Sequence, residues 1–133
     1  MKMPDTSLRE ALPLCRSDEL AERGVAHVFD VKHCGELLRA FVLRFDGELV
    51  AYLNRCIHVP TEMDWQPGEF LDSDKRYIMC SIHGAIYEPT TGEVLAGPCR
   101  HGRLTRIEVF ESDGQVYWYP SRDTRPVFPE SPA

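Results

Sequence analysis

Residues 40–54 read Ala40-Phe41-Val42-Leu43-Arg44-Phe45-Asp46-Gly47-Glu48-Leu49-Val50-Ala51-Tyr52-Leu53-Asn54, two β-favouring runs with Asp-Gly between them. A tight primed turn needs positive φ at its centre, which Gly adopts freely and Asp at small cost, so Asp46-Gly47 predicts a β-hairpin. Asp113-Gly114 repeats the signal near the C-terminus.

Outward from this hairpin the chain continues in short β-rich runs, Val25 to Val31, Arg76 to Met79, Ala85 to Glu88, Leu104 to Phe110 and Val116 to Tyr119, separated by turn residues. A βαβ fold needs longer helical stretches than these, so the expected class is all-β, a small antiparallel sandwich or barrel. One short helix is expected over Asp18 to Arg23, with Ser17 as its cap and Gly24 as its stop. A single domain is expected over residues 1–119. The proline-rich stretch from Pro120 to Ala133 reads as an extended tail, whose Val127 and Phe128 could dock on the body.

With 43% hydrophobic and 27% charged residues, the composition suits a globular chain able to form a core. No stretch approaches the roughly 18 apolar residues of a spanning helix, and no basic-then-apolar leader opens the sequence, so neither a membrane nor export is expected. A net charge of −6 argues against a nucleic-acid surface, which needs clustered Lys and Arg, and favours a basic protein partner. Five cysteines is an odd number in such a chain, pointing to metal or thiol chemistry in the cytoplasm rather than a disulfide framework.

Cys56-Ile57-His58 and Cys80-Ser81-Ile82-His83 each fall just after a predicted strand. Two loops thus offer two thiols and two imidazoles, with the strands behind them fixing their register. Such a set suits a tetrahedral zinc ion, and equally a dinuclear cluster in which Cys₂ binds one iron and His₂ the other. Zinc sites usually pair like ligands on one element, whereas each loop here mixes one Cys with one His. Cys99-Arg100-His101 is a second C-x-H motif that could in principle replace the first. His33 and Cys34 adjoin and would face opposite ways in an extended strand, so they are not expected to chelate one ion.

The paired C-x-H and C-x-x-H-G loops, Cys56, His58, Cys80, His83 and Gly84, resemble those of the Rieske family. Tyr87-Glu88, Thr91-Gly92-Glu93 and Gly97-Pro98 extend the resemblance, which runs from about Asp46 to Tyr119. It implies an antiparallel β fold with a small cluster-binding part over residues 55–100. It also implies one [2Fe–2S] cluster held by Cys56, His58, Cys80 and His83. Ile57 stands where the family often has Pro, and the stretch between His58 and Cys80 is longer than usual, suggesting a surface excursion within Asp64 to Arg76.

The resemblance further implies that Tyr87, Gly84 and Pro98 line and tune the cluster, Tyr87 by reaching the Cys56 sulfur. Thr61 and Ile82 stand where the high-potential branch carries a disulfide, and Ala85 where it carries a hydroxyl. Fewer donors to sulfur disfavour the extra electron, so the expected potential lies in the lower half of the roughly −150 to +300 mV Rieske range. The implied role is electron transfer between a flavoprotein reductase and a terminal oxygenase or other redox enzyme, with no small-molecule substrate of its own. A fixed cluster-bearing subunit, a redox sensor and a zinc-stabilised binding module are the alternatives. Room for a separate mononuclear iron domain is not expected in 133 residues.

Overall fold

The computed structural model describes residues 11–57, 61–64, 66–82, 84–97 and 101–127. Among them lie ten strands in three antiparallel sheets and one short 3₁₀ turn, and no α-helix. The all-β class expected from the hairpin signals is the one observed.

The predicted hairpin joins β3 (Glu36–Phe45) to β4 (Glu48–Leu53). Asp46 and Gly47 both have positive φ, 54° and 80°, as a two-residue primed turn requires. Both carboxylate oxygens of Glu22 accept the turn's backbone N–H groups, from Asp46 and Gly47. On the other side, β2 (His27–His33) turns into β3 through Cys34-Gly35, also at positive φ. Cys34 is therefore a turn residue and not the continuation of a strand.

A four-stranded sheet of order β10-β2-β3-β4 results, with β10 (Thr124–Pro126) on its edge. The expected tail is corrected at this point: Thr124 lies opposite His33 and Pro126 opposite Val31, so part of it belongs to the sheet. Phe128 falls outside the described residues. A three-stranded sheet of order β1-β9-β8 is built from β1 (Leu12–Arg16), β8 (Glu108–Ser112) and β9 (Gln115–Tyr119). Asp113-Gly114 makes its hairpin turn as predicted. Residues 105–107 cross between the two sheets, since Leu53 N–H donates to Thr105 O and Ile107 N–H to Ala51 O. These bonds cover the β4 edge and curl the large sheet toward the second one.

The expected helix shrinks to a three-residue 3₁₀ turn, Ser17–Glu19, preceded by Arg16 rather than capped by Ser17. Beyond Leu20 the chain pairs with β3 instead: Arg23 N–H donates to Arg44 O at 2.7 Å. Six residues gain little from helix formation, and the tertiary pairing outweighs them.

Strand β3 explains the two-layer architecture. Its alternate residues Phe41, Leu43 and Phe45 enter one hydrophobic core, while Ala40 and Val42 enter another. The second core, completed by Val31, Leu53, Ile107, Val116 and Trp118, fills the space between the two larger sheets. The first lies under a small sheet of β5 (Ile78–Met79), β6 (Ile86–Tyr87) and β7 (Val94–Ala96), which carries the second motif loop.

The stretch from Asp64 to Arg76 is not the simple surface excursion expected. Phe70 is buried and stacks on Phe41 with ring centroids 3.7 Å apart and planes within 10°. The extra length supplies a core aromatic.

Candidate metal centre

The first motif loop leaves β4 after Leu53. Cys56 is 2% exposed, and its backbone N–H donates to Thr61 O at 2.9 Å, folding the loop back on itself. The second loop leaves β5 after Met79. Cys80 is fully buried, its N–H donates to Ala85 O at 2.9 Å, and Gly84 N–H returns to Cys80 O at 2.8 Å. Gly84 takes φ +75° to close this turn, which a side-chain-bearing residue would adopt only under strain.

The two loops are tied directly, because Ser81 N–H donates to Met63 O at 2.9 Å. Cys56 and Cys80 share one core with Tyr87, Ala85, Met63 and Phe70, and neither forms a disulfide. His58 and His83, the other halves of the two motifs, lie outside the described residues, as do Pro98 and Cys99. His101, of the second C-x-H motif, is exposed. Among the described residues no group of three or more metal-ligating side chains occurs.

Tyr87, on β6, is fully buried with its hydroxyl 3.4 Å from Cys56 Sγ. The same oxygen accepts the Ile57 N–H at 3.2 Å. A thiolate at Cys56 could only accept, so against it the phenol is the donor. Burial, and next the hydrogen bond to Cys56, push the Tyr87 hydroxyl above its ordinary pKa. The proton therefore stays on oxygen at neutral pH, available to a thiolate.

Directly after β7 the backbone runs close against Ala85 of the second loop. Gly97 has φ +125°, and a Cβ there would stand 2.8 Å from Ala85 Cα. Only a glycine lets the backbone pass this near, so the Gly97-Pro98 match has a steric cause at its glycine.

The donor chemistry fits a cluster with two thiolate ligands. Two sulfurs are withdrawn from water under one apolar core, their loops are held in register, and a phenol hydroxyl lies 3.4 Å from one of them. A sequence reading finds the ligand motifs but passes over Met63 and Ser81, whose backbone groups join the loops. No side-chain pattern marks a backbone-to-backbone bond between distant loops.

Two buried thiols on loops joined by the backbone are compatible with an iron–sulfur protein, and residues 10–129 match the Rieske [2Fe–2S] domain family. The chain belongs to that family, whose domain carries one [2Fe–2S] cluster, a one-electron redox group. Among solved structures it is similar to the ferredoxin of carbazole 1,9a-dioxygenase from Nocardioides aromaticivorans IC177. That match has 22% identity and a TM-score of 0.65, covering 84% of this chain and 98% of the other. A chain of the reduced complex between oxygenase and ferredoxin in carbazole 1,9a-dioxygenase matches at 24% identity and TM-score 0.64, over 83% of this chain and 28% of that one. The terminal oxygenase of carbazole 1,9a-dioxygenase from Novosphingobium sp. KA1 matches at 22% identity and TM-score 0.63, over 82% and 29%. At these identities the likeness is one of fold. No curated protein sequence gives a significant match.

Proposed function

We propose that this chain is a diffusible one-electron carrier, with Cys56 and Cys80 holding one iron of the cluster and His58 and His83 the other. It would take its electron from a flavoprotein reductase and deliver it to a terminal oxygenase. The observation that carries this reading is the pair of buried thiols on two loops bonded through Ser81 N–H and Met63 O.

When bound, the cluster accepts one electron and returns it. The chain's own residues set the conditions. The buried cysteines keep the thiolate side away from water, and Tyr87 offers the Cys56 sulfur a proton. Ile82, between Cys80 and His83, is exposed and gives the second loop an apolar tip beside its imidazole motif. A net charge of −6 favours a partner with a basic docking face, through long-range steering. The likeness to a ferredoxin over 98% of its chain, and to a chain of an oxygenase–ferredoxin complex, supports the carrier role and an oxygenase partner. No helix among the described residues is long and apolar enough to cross a membrane. None of the described cysteines forms a disulfide, and Cys34 is exposed, which suits a reducing compartment such as the cytoplasm.

The test is a stopped-flow reduction of the purified protein by a flavoprotein reductase, followed by mixing with a terminal oxygenase. The expected results are a Rieske-type EPR signal in the reduced state and transfer that slows as salt rises. Colourless protein with one zinc per chain would refute the reading, and a cluster that exchanges electrons only within a stable co-purifying complex would replace the carrier by a fixed subunit.

A further inference from the structure

The first motif loop is closed at its base by two side chains that are not metal ligands. Asn54, the residue after β4, is 2% exposed. Its Nδ2 donates to Asp64 Oδ1 at 2.7 Å, while its Oδ1 accepts the Met63 N–H at 2.7 Å. Asp64 Oδ2 in turn accepts the Gly68 N–H at 2.9 Å. Asn54 is itself anchored, its backbone N–H donating to Arg39 O on β3 at 2.8 Å.

The chain of bonds does not stop at the loop it closes. Met63, whose N–H Asn54 holds, uses its carbonyl to accept the N–H of Ser81, the residue after Cys80. Asn54 lies two residues before Cys56, and Ser81 one residue after Cys80. A short rigid path therefore runs from β3 through Asn54 and Met63 to the second loop, passing beside both thiol-bearing positions.

We propose that Asn54 and Asp64 are positioning residues that set the placement of the Cys56 loop against the Cys80 loop, and through it the geometry in which the cluster is held. This rests on the reading of Cys56 and Cys80 as ligands given above. This half-buried amide–carboxylate bond resists displacement, because breaking it leaves the buried Asn54 amide without its partner.

The hydrogen-bond roles allow a swap that a packing role does not require. Asn54→Asp alone sets two carboxylates face to face. Asp64→Asn alone turns an N–H₂ toward either the Asn54 amide or the Gly68 N–H. The double variant Asn54→Asp/Asp64→Asn regains all three bonds: one Asp oxygen accepts the Met63 N–H, the other accepts from the new amide, and the amide oxygen accepts from Gly68.

The experiment compares wild-type, both single variants and the double variant for iron and sulfide content, reduced-state EPR, midpoint potential and thermal stability. Each single variant is expected to lose its cluster about tenfold faster well below its melting temperature, and the double variant to return within about twofold of wild-type, the scale of one buried hydrogen bond. The EPR line of the single variants should broaden and that of the double variant sharpen again. If the single variants melt earlier but keep the wild-type EPR line and potential, the pair only stabilises the fold and the proposal is overturned. A double variant as defective as the single ones overturns it too. Wild-type protein without a [2Fe–2S] cluster would instead sink the ligand assignment, and the positioning role with it.

Discussion

The hydroxyl of Tyr87 lies 3.4 Å from the sulfur of Cys56, and the same oxygen accepts the Ile57 amide. Against a thiolate the phenol must be the donor. A donor aimed at sulfur stabilises the added electron, because reduction makes the sulfur more negative. Tyr87→Phe should therefore lower the midpoint potential, by on the order of 60 mV if about 1.4 kcal/mol of charge-assisted hydrogen bonding is lost in a one-electron couple. A redox titration followed by EPR measures it, and an unchanged potential removes Tyr87 from any tuning role.

Ala85 is buried beside the second loop with no hydroxyl to offer. Ala85→Ser should raise the potential where Tyr87→Phe lowers it, provided the new hydroxyl turns toward a cluster sulfur. The pair of shifts, opposite in sign, is the outcome to look for in the same titration.

Gly97 packs against Ala85 so closely that a methyl group has nowhere to go, and its φ of +125° disfavours any side chain. Gly97→Ala should cost on the order of 1–3 kcal/mol of stability and speed oxidative loss of the cluster by pushing the Ala85 backbone away from the Cys80 loop. Urea unfolding and the bleaching rate in air measure the two effects. Bleaching at the wild-type rate in a destabilised protein would mean that this contact does not protect the site.

Arg44 grips Glu111 through both carboxylate oxygens, at 2.9 and 3.1 Å, and also donates to Leu20 O and Ser17 O. The guanidinium, and next Ser17, hold the Glu111 carboxyl down to about 2 from an ordinary 4.5. A lowered folded-state value contributes stability above the unfolded value of 4.5 and loses it as the pH falls toward 2. The Glu111 side chain is 34% exposed, so water screens the pair and its worth is about 1 kcal/mol rather than the full shift. Melting curves of wild-type and Glu111→Gln should thus differ at pH 7 and converge between pH 4.5 and 2. A gap that stays constant across that window would show that the ion pair contributes nothing specific.

Phe70 sits in the segment between the motif loops, stacked on Phe41. Phe70→Ala should cost about 3–5 kcal/mol, the range for truncating a buried aromatic. A loss under 1 kcal/mol in urea unfolding would return that segment to the surface role its polar sequence suggests.

The hairpins at Asp46-Gly47 and Asp113-Gly114 were legible because turn chemistry is local: two residues carry the information. Strands β1 and β10 were not. Leu12 pairs with Trp118, and Thr124 with His33, so what makes these segments strands is a partner roughly a hundred residues away in the chain. Pro13 and Pro126 further obscure them, although both stand on edge strands, where a missing N–H is tolerated. The same distinction holds at the site. Cys56 and Cys80 stood out through short, chemically loaded spacing. Asn54 and Asp64 carry no such mark, since their bond spans ten residues and depends on how the loop between them folds. Phe70 was hidden by the acidic and glycine residues around it.

Strand β3 is a party wall. Phe41 and Leu43 furnish the room beneath the motif loops, and Ala40 and Val42 the room next door. A miniature protein made by keeping residues 54–104 alone would lose that wall and with it the floor under both cysteines. Any shortened version therefore has to keep β3, whose side chains lie in the same core as both cysteines.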